Sequence, residues 1–134
     1  MGLVNEGYPV FVCQNALDDS GYVLTLDTTN GGVKKATDSD EVIGVALTGT
    51  VDMFGNAVSG ENVAIAPVGR ALIVELQLDS SNLAISYGDP LCVDASTAGV
   101  VDLKDDATNT GDRIAIALED KAENSGGKIK ALLL

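Results

Sequence analysis

Val42-Ile43-Gly44-Val45-Ala46-Leu47 is a short apolar burst that stops at Thr48-Gly49, and Ile114-Ala115-Ile116-Ala117-Leu118 repeats it ahead of Glu119-Asp120. Neither run has the three- and four-residue spacing of an amphipathic helix. Both are closed by turn-forming or polar residues, so each reads as a strand. The same grammar extends in both directions. Candidate strands are Tyr8 to Cys13, Tyr22 to Leu26, Val33 to Ala36, Val42 to Leu47, Val63 to Ala66, Ala71 to Leu76, Pro90 to Val93, Val100 to Leu103, Ile114 to Leu118 and Lys128 to Leu134. Short strands with turns about every ten residues predict an all-β chain, a small β-barrel or sandwich, folded as a single domain over residues 1–134.

The repetition has three anchors. Gly7-Tyr8-Pro9-Val10-Phe11-Val12 matches Gly88-Asp89-Pro90-Leu91-Cys92-Val93, and each is followed by a glycine-led strand, at Gly21-Tyr22-Val23 and Gly99-Val100-Val101. Ile43 to Leu47 matches Ile114 to Leu118, and Ser59-Gly60-Glu61-Asn62-Val63 matches Ser125-Gly126-Gly127-Lys128-Ile129. Two similar halves are expected, at about residues 7–76 and 88–134, with the longer loops in the first. One half alone cannot cover its apolar face, so the two are expected to close one barrel and hide their edge strands. Residues 1–7, which lead into the first anchor, form a candidate N-terminal arm.

Composition removes several function classes. Twenty acidic against eight basic residues give a net charge of −12, which opposes binding to nucleic-acid phosphates. No apolar run approaches the roughly 20 residues that span a bilayer, and the first residues lack the basic and apolar regions of a secretory signal. Synthesis in the cytoplasm, with no membrane partner, is the expectation. Cys13 and Cys92 are expected as buried free thiols. The absence of histidine removes the usual Ser-His-Asp and Cys-His arrangements and the commonest zinc ligand, and neither GxxxxGK[ST] nor GxGxxG occurs.

Acidic clusters at Asp18-Asp19, Asp38-Ser39-Asp40-Glu41 and Asp102-Leu103-Lys104-Asp105-Asp106 sit in turn-like stretches. The second begins like a calcium loop, but Val42 and Ile43 stand where an oxygen ligand and a glycine are required. Solvated turns are the main reading and a weak cation site the lesser one; a glycosidase pair would also want more aromatic platforms than this chain has. No enzyme activity, cofactor or metal is expected.

One loop departs from the repeat. Eleven residues, Thr48 to Val58, stand where the second copy has six, Glu119 to Asn124, and Met53 and Phe54 occupy the middle. Large apolar residues there either fold back over the core or dock on a partner. Leu3 and Val4, in the candidate arm, either add a strand to a partner's sheet or belong to a disordered terminus. Met53, Phe54, Leu3 and Val4 are therefore the candidate partner contacts.

The segments VKKATDSDEVIGVAL, SGENVAIAPVGRALI, YGDPLCVDASTAGVV and IAIALEDKAENSGGKIKALLL resemble, in their order, the small capsid decoration (cement) proteins of tailed bacteriophages and related viruses. The resemblance covers most of the chain from about Gly7 onward. It implies a β-barrel-like domain on the outer surface of the virion's assembled head, commonly a homotrimer, clamping neighbouring major capsid protein subunits. The long Met53/Phe54 loop departs from the shorter turn of that family. The residues alone also admit a non-enzymatic β-sandwich binding module of a viral fibre or cell-surface assembly that recognises protein or glycan.

Overall fold

The computed structural model describes residues 8–134. All ten segments form strands: β1 Val10–Val12, β2 Val23–Leu26, β3 Val33–Lys35, β4 Gly44–Ala46, β5 Asn62–Pro67, β6 Ile73–Gln77, β7 Pro90–Val93, β8 Val101–Leu103, β9 Ala115–Ala117 and β10 Lys128–Leu133. They build two five-stranded antiparallel sheets, in the orders β1-β5-β4-β2-β3 and β6-β10-β9-β7-β8. No helix occurs among the described residues. Counted from the first strand of each sheet, the two orders are the same. The fold is all-β and built from two similar halves.

Strand register shows which residues are equivalent. Leu24 of β2 lies opposite Gly44 of β4, as Leu91 of β7 lies opposite Ala115 of β9. Ala46 faces Ile65 across β4 and β5, as Ala117 faces Ala131 across β9 and β10. Val12 faces Asn62, as Gln77 faces Lys128. Two of the three sequence anchors, Ile43/Ile114 and Gly60/Gly126, keep this phase.

The first anchor is corrected. The segment ending in β1 has its counterpart in β6, whereas Gly88-Asp89-Pro90-Leu91 corresponds to Gly21-Tyr22-Val23-Leu24 at β2. Hydrogen bonds beyond these strands agree. Asp27 accepts from the amides of Thr29 and Asn30, and Asp94 accepts from those of Ser96 and Thr97. Glycine-led apolar strands occur several times in the chain, so local likeness cannot fix the phase, whereas pairing partners do. The division between halves accordingly falls between β5 and β6, and the strand near Leu76 belongs to the second half rather than to a first half of 7–76.

Closure occurs within each half, not between them. A single parallel bridge, Cys13 to Val33, joins the two edges of the first sheet, and Leu78 to Val101 does the same in the second. The Gln14 amide donates to the Val33 carbonyl at 2.8 Å, and the Asp79 amide to the Val101 carbonyl at 3.0 Å. Each sheet thus curls until its edge strands touch, which shields edges that would otherwise invite another strand. Among the described residues no strand of one sheet pairs with a strand of the other.

Burial follows the repeat. Cys13, Leu17, Leu24, Val33, Ala46, Val63 and Ile65 form one buried cluster inside the first half. Their equivalents Leu78, Ile85, Leu91, Val101, Ala117, Ile129 and Ala131 are all buried in the second cluster. That second cluster also takes in Val23, Val45 and Ala66, which alternate with the inner residues of the first sheet and so point from its opposite face toward the second half. Each fully buried leucine or isoleucine contributes about 1.5–3 kcal/mol, so the shared cluster is the main adhesive between halves.

Polar contacts complete the seam. Gly99 donates to the Ala36 carbonyl at 2.8 Å and accepts from the Val23 amide at 3.0 Å. It adopts φ 83°, and a Cβ there would meet Lys35 Cγ at 2.8 Å, so both conformation and space require glycine. Lys35 in turn lies 4.3 Å from the Tyr22 ring centroid. Nearby, Lys128 Nζ reaches Asp19 and Ser20 Oγ, each at 3.0 Å.

Candidate contact surface

The loop carrying Met53 and Phe54 is anchored at its base and hydrogen-bonded across its tip. Thr50, buried in the wall of the first half, accepts from the Leu17 amide through Oγ1 at 2.7 Å, and its own amide donates to the Leu17 carbonyl at 2.8 Å. Val51 then bridges Ala57. Asp52 Oδ1 accepts from the amides of Phe54 and Asn56, both at 2.9 Å, while the Asp52 amide donates to the Asn56 carbonyl at 2.9 Å. An aspartate that ties its own turn in this way holds the intervening residues in one shape.

That shape presents both large side chains outward. Met53 is 88% exposed and Phe54 81% exposed. Of the two fates open from sequence, folding back over the core is therefore not the one adopted. The equivalent loop of the second half is tied to the body by Asn82, which is fully buried, donates to the Ala122 carbonyl at 3.0 Å and accepts from the Gly126 amide at 2.9 Å. Leu3 and Val4, the other candidate contacts, lie outside the described residues.

Several aspartates act as turn caps. Asp40 Oδ2 accepts from the Thr37 amide and hydroxyl, both at 2.9 Å, and Asp105 Oδ1 accepts from the amides of Ala107, Thr108 and Asn109. These bonds favour the charged form, and the Asp40 and Asp105 carboxyls are held below the usual aspartate range, the Thr37 and Thr108 amides being the largest causes. Asp19 is lowered chiefly by the Lys128 ammonium.

Asp102 differs. It is only 3% exposed, and its Oδ1 accepts from Leu103 N at 2.7 Å and Leu83 N at 3.0 Å. One oxygen each of Asp79, Asp94 and Asp102 lies within 4.8 Å of the other two. Burial pushes the Asp102 carboxyl up, and the charges of Asp94 and Asp79 add to the effect. Chemically, such a trio can hold a proton on Asp102 or offer carboxylate oxygens to one hard cation. Sequence reading missed it because its members come from three separated segments. Correct phasing of the repeat carries the signal: the equivalents of Asp79, Asp94 and Asp102 are Gln14, Asp27 and Lys34, so a lysine stands where the second half has a third carboxylate.

A cleft of about 700 Å³ opens between the halves, with Asp38, Glu41 and Val68 on one side and Val93, Asp112 and Ile114 on the other. Both cysteines are free and buried. Burial raises the Cys13 thiol and pushes Cys92 up to about 11, so neither is a ready nucleophile at neutral pH. These features describe a small two-part all-β protein in which, among the described residues, the most exposed large apolar side chains sit on a braced loop. No protein-family model matches the chain, and no curated protein matches it.

Proposed function

We propose that this protein is a non-enzymatic capsid decoration protein, a homotrimer that docks on the outer surface of an assembled viral head and braces neighbouring major capsid subunits. The observation that carries the reading is the Asp52-locked turn that holds Met53 and Phe54 almost fully in solvent. Ordering these side chains before contact lowers the entropy cost of docking, and large apolar residues dominate the binding energy of interfaces. A body of two curled sheets suits a mechanical role, since the edges of each sheet are joined and one of its two core clusters runs across both halves. Three copies acting together would raise avidity by about 10² to 10⁴ over one.

The test is co-sedimentation of the purified protein with tailed-phage heads that lack a decoration protein, followed by heating of the bound particles. Binding with a rise in the temperature of head disruption is expected. Binding to cells or glycans and not to heads would replace this reading with that of a fibre or cell-surface recognition module.

A further inference from the structure

The cleft between the halves has an apolar floor and an acidic rim. Val42 and Val68 come from the first half and Val93 and Ile114 from the second, so the floor exists only when the halves are joined. The rim carries Asp38, Glu41 and Asp112, with Arg113 as the one cation in the lining. Asp40 is committed to Thr37, but among the described residues the carboxylates of Asp38, Glu41 and Asp112 cap no turn and form no ion pair. The volume is that of several side chains, within the range of about 300–1,000 Å³ usual for binding clefts.

We propose that this cleft binds an extended basic segment of a partner protein, in which lysine or arginine residues alternate with small apolar ones. Apolar side chains and the methylene stems of the basic residues would cover the floor, while the cationic heads would reach the rim carboxylates. The charge balance selects this occupant. A second copy of the chain, itself at −12, is repelled from an acidic mouth, and so is a nucleic acid. A small free cation would satisfy the rim and leave the apolar floor in water. The cleft is separate from the Met53/Phe54 loop, and the proposal does not depend on the capsid reading.

The experiment is a titration of the whole protein, followed by backbone-amide NMR, with a blocked pentapeptide of alternating lysine and valine at low salt. Saturable shifts centred on Val68, Gly111 and Ile114 are expected. The Asp38→Asn/Glu41→Gln/Asp112→Asn variant should melt no lower than the native protein and lose about tenfold in affinity. Val68→Thr should also weaken binding. Three results would each overturn the proposal: equal binding of a glutamate-valine peptide, equal binding of spermidine or a lysine-serine peptide, or wild-type affinity in the triple variant. An absence of saturable shifts with the lysine-valine peptide would do the same.

Discussion

Gly44 and Ile65 share one space. A Cβ on Gly44 would collide with Ile65 Cγ2 and would lie 2.6 Å from the Ala66 carbonyl oxygen. At the equivalent place in the second half Ala115 has its Cβ, and the position of Ile65 is taken by Ala131. Each half thus fills the same volume with a different division between neighbours. Gly44→Ala is expected to cost about 1–3 kcal/mol through overpacking, and measurably less in an Ile65→Ala background. A denaturation-based double-mutant cycle checks this; strictly additive costs would refute the sharing.

Asp102 supplies a second residue-scale prediction. Its folded carboxyl titrates above the ordinary aspartate value of about 3.9, so the native state holds a proton that the unfolded chain has released. Stability therefore falls as pH rises through that ordinary value, and the cost is complete above the raised one. Asp102→Asn keeps an oxygen acceptor for Leu83 and Leu103 while removing the charge. The variant is expected to melt a few degrees higher than the native protein at pH 7, with the difference shrinking toward pH 4, as read by calorimetry. A lower melting temperature at pH 7 would mean that the ionised carboxylate is stabilised there by something other than these neighbours.

Among the elements, the Met53/Phe54 loop separates shape from contact. Met53→Ser/Phe54→Ser removes side chains that touch little of the body, so stability should change by less than about 0.5 kcal/mol while binding to heads is lost. Asp52→Ala leaves both apolar residues in place and removes the acceptor of two turn amides. It should weaken binding by a smaller factor, through lost preorganisation rather than lost contact. Sedimentation of the variants with heads, beside their melting curves, distinguishes the two effects. Unchanged binding in the double serine variant would exclude the loop as the docking element.

At the scale of the whole molecule the balance of charge governs stability. Twenty carboxylates against eight basic groups repel one another at pH 7, and salt screens that repulsion. Raising ionic strength from about 0.01 M to 0.15 M shortens the screening length from roughly 30 Å to 8 Å and is expected to raise the melting temperature. Asp19, Asp27, Asp40 and Asp105 are lowered by their hydrogen-bond partners, so their contribution is present above pH about 3.9 and is lost as pH falls through their folded values. Together with Asp102 this places maximal stability on the acid side of neutrality. A pH series of melting curves that peaks above pH 8 would contradict it.

The sequence by itself determined that the chain is all-β, where its ten strands lie and that they form two similar halves, because apolar bursts and turn residues are local signals. It also marked Met53 and Phe54 as out of place in a turn. Only the tertiary structure decided the phase of the repeat, which rests on pairings such as Val12 with Asn62 and Gln77 with Lys128 that no local likeness encodes. It likewise decided that each half closes on itself, that Met53 and Phe54 face solvent, and that Asp79, Asp94 and Asp102 converge. The physical reason is common to all four: strand register and packing join residues far apart in the chain, and those distances are set only when the backbone's hydrogen bonds and the core are satisfied together.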